Sequence, residues 1–306
     1  MKENGKFDVV TGAFGYTGKY ITRRLLAAGR EVRTLTGHPH RPDPFGGRVQ
    51  IAPLDFRNLA GLVESLRGAS VLYNSYWVRF SHGRVTFDDA VANSKILIRA
   101  AKEAGVRKIV HISIANPSLD SRLPYYAGKA RVEKAIFDSG LPYAILRPVL
   151  IFGKEDILIN NIAWFVRHFP VFAIPGSGEY EIQPIFVEDM ADLAVDAARA
   201  DGNLVFDAVG PEIFSFNDLV RLIASRLGKN TRIVHFAPGL VRPMLRLLES
   251  FVGDVVLTRE EIDGLLDNLL VSRQTPTGTT RLSEWLQRNA STVGAKYASE
   301  LKRHYR

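Results

Sequence analysis

Tyr125 and Lys129 stand four residues apart in the run Tyr125-Tyr126-Ala127-Gly128-Lys129. On a helix that step puts both side chains on one face. An ammonium beside a phenol favours the phenolate and draws the tyrosine pKa down from about 10 toward neutrality. Tyr125 is then suited to give or take a proton at a hydroxyl or carbonyl oxygen. Tyr126 has no lysine at the same step. A second group of residues is built to bind. Gly12-Ala13-Phe14-Gly15-Tyr16-Thr17-Gly18 is a G-x-x-G-x-x-G loop. Between a strand and a helix, such glycines give a tight turn, let the backbone approach a pyrophosphate, and allow close helix packing. The helix then aims free N–H groups at the phosphates. Gly12, Phe14, Gly15, Tyr16, Thr17 and Gly18 are therefore candidate contacts to a dinucleotide, whose positive nicotinamide would lower the Tyr125 pKa further.

The elements that must position these residues alternate. Residues 6–11 read as a strand, 16–28 as a helix, and 31–36 and 48–53 as strands flanking a Pro/Gly loop. A helix over 58–66, a strand over 70–74, a helix over 87–104, a strand over 107–113, a helix over 124–139 and a strand over 143–147 follow. This rhythm predicts an α/β fold with a Rossmann-like, doubly wound parallel sheet. The expected division is a nucleotide-binding domain over residues 1–152, with 184–209 returning to the sheet. A smaller, mostly helical substrate region takes 153–183 and 210–306, with one strand at 232–236. Asn160, Asn161, Trp164 and Phe165 either line a substrate cleft there or pack a helix.

Loop spacing and the placement of Tyr125 and Lys129, 12 residues past a strand ending at Ser113, resemble the short-chain dehydrogenase/reductase superfamily. Leu146-Arg147-Pro148-Val149-Leu150-Ile151-Phe152-Gly153 and Val187-Glu188-Asp189-Met190-Ala191 resemble two further segments of it. The likeness spans about the first 200 residues. It is strongest to extended and atypical members of the sugar-nucleotide-epimerase, NmrA-like and complex I accessory-subunit types. The resemblance implies an NAD(P)-dependent oxidoreductase or epimerase, with a non-catalytic redox sensor or assembly protein as the alternative. Carried over by position, Tyr125 is the acid/base, Lys129 tunes it and holds the nicotinamide ribose, and Ser113 orients the substrate oxygen, with Ser118 as the runner-up and Asn116 as a further contributor. Asp55 and Phe56 would meet the adenine, Asn74 and Ser75 the ribose, and Pro148 and Ile151 the carboxamide.

The residue ending the second strand selects between cofactors, because a carboxylate there holds the ribose 2′-hydroxyl of NAD. Here Gly37, His38 and Arg41 follow the strand, and no acid comes before Asp43. A 2′-phosphate would meet positive groups, so NADP is favoured over NAD. The 306 residues contain no cysteine, which excludes disulfides, thiolate metal sites and cysteine nucleophiles, and no metal is expected. The net charge of +8 is scattered rather than clustered, which argues against a nucleic-acid partner. A small-molecule substrate, a monomer or homodimer, and a cytoplasmic location without a spanning helix or secretory signal are expected. Residues 240–257 are apolar on one face, and 297–306 read as a basic terminal helix.

Overall fold

A computed structural model describes residues 7–81, 85–237, 254 and 258–299. The first half alternates: Phe7–Thr11 (β1), Tyr16–Ala27 (α1), Val32–Thr36 (β2), Val49–Pro53 (β3), Leu59–Leu66 (α2), Ala69–Asn74 (β4), Phe87–Glu103 (α3), Lys108–Ile112 (β5), Pro124–Ser139 (α4) and Tyr143–Pro148 (β6). Next come Leu150–Phe152 (β7), Leu158–His168 (α5), Val171–Pro175 (β8), Glu181–Ile182 (β9), Pro184–Phe186 (β10), Val187–Arg199 (α6) and Leu204–Ala208 (β11). Phe214–Ser215 (β12), Phe216–Arg226 (α7), Arg232–Phe236 (β13), Arg259–Leu266 (α8) and Leu282–Asn289 (α9) complete the described elements.

Seven strands form one sheet in the order β11-β6-β5-β4-β1-β2-β3, every pair parallel. The Rossmann-like reading of the sequence is met. Strand order reverses between β1 and β4, the topological switch point at which α/β sheets bind ligands beyond their carboxyl ends. The loop 12–15 leaves β1 at that point. On one face, Val9, Leu72, Ile109 and Ile145 pack against Leu62 and Leu66 of α2, Leu97 of α3, and Val132 and Ile136 of α4. On the other, α1 and α6 pack together. There Arg24 binds Asp192 at 2.6 Å and Glu188 at 3.1 Å. Asp189 lies in the first turn of α6, where a carboxylate suits the helix dipole.

The chain divides into two compact units, Met1–Pro148 with Val187–Ala208, and Val149–Phe186 with Val209–Arg306. The second unit has its own core, in which Phe152, Ile162, Val166, Leu219, Ile223 and Trp285 meet. Among its described residues it holds, besides helices, three strand pairs, β7–β10 and β8–β13 parallel and β9–β12 antiparallel. Of these six strands the sequence reading expects only the one at 232–236: β7, β9, β10 and β12 are runs of two or three residues, too short to show a period, and β8 lies in a stretch rich in Gly and Pro. The Asn160 amide donates to the Gly153 carbonyl (3.3 Å) and to Asp156 Oδ2 (3.0 Å), and its oxygen accepts from Gly294 N–H (3.1 Å). Asn161 pairs with the Ala298 backbone through both amide atoms. Both asparagines thus tie α5 to neighbouring backbone. Residues 240–257, Asp254 excepted, lie outside the described residues. So do 300–306, and 297–299 carry no helix. Among the described residues, no helix is long and apolar enough to cross a membrane.

Candidate functional site

The loop after β1 is closely packed. Gly12 has φ +64°, in the left-handed region open to glycine, and Gly15 N–H donates to its carbonyl at 2.8 Å. A Cβ on Gly18 would lie 2.3 Å from the same carbonyl oxygen, so only glycine lets α1 come this close. Helix α1 starts from Gly15 with no side-chain cap and no acidic residue in its first turn. The positive end of its dipole faces the loop with no side-chain carboxylate or hydroxyl to offset it, which favours an anion there. This bare, glycine-lined helix start fits the pyrophosphate of a dinucleotide. Phe14 rests on Phe45 at 6.4 Å between ring centroids, which ties the loop to the segment after β2.

That segment carries the cofactor-selecting residues. His38 is exposed, and partial burial and the nearby Arg41 charge lower its imidazole pKa. Asp43, the first acid after β2, accepts from the N–H groups of Phe45 (2.7 Å) and Gly47 (2.6 Å), so its carboxylate braces the loop. An open recess of about 440 Å³ lies at the ends of β2 and β3, lined by Thr36, Gly37, Pro39, Pro53, Leu54 and Asp55. The Arg57 N–H and guanidinium hold the Asp55 carboxyl below its usual pKa. Phe56 lies against Tyr76 at 4.8 Å.

Asn74 and Ser75, at the end of β4, bind the neighbouring strands. Ser75 Oγ donates to the Thr11 carbonyl (2.7 Å), and its N–H donates to Thr11 Oγ1 (2.8 Å). Asn74 Oδ1 accepts from Tyr76 N–H (3.1 Å), which fixes the amide orientation. The amide nitrogen then donates to His111 Nδ1 at 3.1 Å. His111 is wholly buried, and burial together with the Lys129 charge pushes its pKa well down, so the ring is neutral.

Tyr125 is half-buried in the first turn of α4, edge-on to the rings of Trp77 (5.9 Å) and Phe87 (5.7 Å). Lys129 is one turn further on and buried. Its Nζ donates to the Ile112 carbonyl at the end of β5 (3.0 Å) and lies 4.7 Å from the Trp77 ring. Burial pulls its pKa down to about 7, against the pull of the Glu133 carboxylate. Ser113 is also buried. Its hydroxyl donates to Glu133 Oε1 at 2.5 Å, and Glu133 accepts both a 3.0 Å and a 2.5 Å bond from the Arg147 guanidinium. Ser118 is exposed and accepts from Asp120 N–H (3.2 Å), and Asn116 is exposed with φ 55°. Pro148 closes β6 in the first unit, and Ile151 lies on β7 in the second.

Sequence reasoning missed Glu133. A glutamate on a helix ordinarily reads as solvated surface, yet this one is 2% exposed. The available signal was its place in Tyr125, Lys129, Glu133, a polar residue at every fourth position of a helix that must face the sheet. Trp77 was missed as well. Its ring packs over Gly128, where a Cβ would come within 2.9 Å of it.

Residues 12–157 match the family profile described as NAD(P)H-binding. In sequence, the chain is 23% identical over 288 residues to NADH dehydrogenase [ubiquinone] 1 alpha subcomplex subunit 9 of Arabidopsis thaliana, covering 88% of this chain and 72% of that one. In structure, it is similar to a nucleoside-diphosphate-sugar epimerase from Staphylococcus aureus (TM-score 0.74, 17% identity, 92% of this chain and 99% of that one). It is equally similar to the NADPH-dependent quinone oxidoreductase QOR2 of Escherichia coli, solved with NADPH (TM-score 0.75, 20% identity, the same coverage). The glycine cradle at the switch point lies within the stretch that matches the NAD(P)H-binding profile, and the parallel sheet around it is the fold of these solved structures.

Proposed function

We propose that the protein is an NAD(P)-dependent oxidoreductase or epimerase that transfers a hydride to or from a carbonyl or carbinol carbon of a small molecule. The observation that carries this reading is the common address of two groups. The glycine cradle follows β1, while Lys129 reaches the end of β5 and Tyr125 stands one turn before it at the start of α4. Bound NAD(P) supplies or accepts the hydride. Tyr125 moves the proton at the reacting oxygen. Lys129 favours its phenolate and binds the nicotinamide ribose, and Ser113 contacts the same oxygen. NADP is preferred, because Arg41 and His38 follow β2 while Asp43 is committed to the loop backbone. A small substrate, a monomer or homodimer and a cytoplasmic setting belong to this reading.

A second reading is a cofactor-binding protein without chemistry. It is favoured by the Ser113 hydroxyl, which turns inward to Glu133, and by likeness to a subunit of NADH dehydrogenase. Parallel titration with NADPH and NADH, followed by nicotinamide fluorescence and thermal shift, tests binding. A carbonyl-substrate screen with Tyr125→Phe tests chemistry. The enzyme reading expects tight NADPH binding in both proteins and at least a hundredfold loss of turnover in the variant. Turnover that survives Tyr125→Phe excludes Tyr125 as the acid/base.

A further inference from the structure

Glu133 touches more of the candidate site than any single role requires. Its carboxylate accepts from Ser113 Oγ and from two nitrogens of Arg147, three bonds on a side chain almost without solvent. It stands one helical turn beyond Lys129, as Lys129 stands one turn beyond Tyr125. Ser113 and Ile112 are neighbours in the chain. One carboxylate and one ammonium therefore meet consecutive residues at the end of β5.

Glu133 is the charge that acts on Lys129 against burial. From β5, His111 faces the lysine as a neutral ring. From β6, Arg147 is turned onto Glu133. From the segment after β4 comes the Trp77 ring. Helix α3 contributes Phe87 to the aromatic cluster, while its Asp88 is drawn outward to Arg131 at 2.8 Å. On α4 itself, Tyr125 and Glu133 are the titratable neighbours on the same face. An ammonium out of water needs an opposite charge, and a buried carboxylate needs donors. Arg147 and Ser113 supply the donors.

We propose that Glu133, anchored by Arg147, is a positioning residue of this site: it holds the Ser113 hydroxyl with its proton turned inward and sets a carboxylate one helical turn from Lys129. The inference rests on the reading of Lys129 as a cofactor contact. Its consequence for Ser113 is one of polarity. With its proton on Glu133, the serine oxygen offers only lone pairs, so it receives a donor such as a substrate hydroxyl, and Tyr125 is left to donate to a carbonyl. Its consequence for Lys129 is one of pH. The cofactor is anionic, so binding weakens as the lysine loses its proton. Removing the carboxylate lets that proton leave at lower pH.

The test is NADPH affinity of the full chain, by nicotinamide fluorescence, between pH 6 and 9, with melting curves on every variant. The wild type is expected to lose affinity above a midpoint near neutrality. Lys129→Met is expected to bind weakly at all pH values, with a flat profile. Glu133→Gln is expected to move the midpoint down by about one unit or more, the scale of a close opposite charge. Arg147→Gln keeps the carboxylate and removes the charge that offsets it, so the midpoint moves up. Glu133→Asp restores the wild-type direction and serves if Glu133→Gln does not fold. A purely structural role predicts shifts of one sign for both variants, or none. Either result, with Lys129→Met flat, overturns the inference and leaves the cofactor reading standing. A wild type that does not bind NADPH, or a Lys129→Met profile like the wild type, overturns both.

Discussion

Gly18→Ala is the sharpest probe of the cradle. The new Cβ would lie 2.3 Å from the Gly12 carbonyl oxygen, 2.8 Å from the Gly12 carbonyl carbon and 3.2 Å from the Thr11 carbonyl oxygen. These are backbone atoms and no side chain can turn away, so the start of α1 must retreat by about 1 Å to restore an ordinary contact. Overpacking of this kind costs about 1–3 kcal/mol. For a unit of this size that lowers Tm by roughly 2–4 °C per kcal/mol. The retreat also withdraws the N–H groups of the first turn from the position a pyrophosphate must occupy. A tenfold loss of NADPH affinity, about 1.4 kcal/mol, is the minimum expected. The assay is thermal denaturation without ligand, then fluorescence titration with NADPH. Gly37→Ala is the matched control for stability, since no atom lies within 4 Å of a Cβ there and its φ is not positive. A Gly18→Ala protein with wild-type Tm and wild-type NADPH affinity would refute the argument that close packing of α1 on the loop makes the site.

Two further outcomes follow from the same geometry. Arg41→Glu is expected to weaken NADPH at least tenfold while sparing NADH. An unchanged ratio of the two affinities means that the 2′-phosphate is met elsewhere. Lys129 has a folded pKa of about 7 against 10.5 for the free side chain, so between those values the unfolded state binds more protons and stability rises with pH. Lys129→Met removes that term. Its Tm should exceed the wild type most at and below pH 7, and the excess should shrink toward pH 10. A constant difference across that range would show that the ammonium is not desolvated in the folded state.

How much was legible divides along a physical line. Local signals are short-range. The apolar runs of β1, β4 and β5, the helical repeat of α3 and α4, and the glycines of 12–18 each reveal themselves within about a dozen residues. Alternation of strands with helices then leaves few topologies, and the parallel sheet follows. The spacing of Tyr125 and Lys129 is of the same kind, because a helix converts a step of four into a shared face without reference to the rest of the chain. Other facts depend on which distant residues the fold brings together. Glu133 is a surface residue by type, and only the packing of α4 on β5 and β6 makes it the partner of Ser113 and Arg147. Asn74 and Ser75 read in the sequence as ribose contacts, and their bonds to His111 and Thr11 appear only when the strands lie side by side. Asn160 was open in the same way until the backbone of Gly294 met it. Local periodicity and glycine stereochemistry suffice for the sheet, the cradle and the Tyr–Lys face, so these are written in the chain itself. The tertiary structure alone decided where the buried charges go, because desolvation forces each to find a partner that only the folded chain supplies.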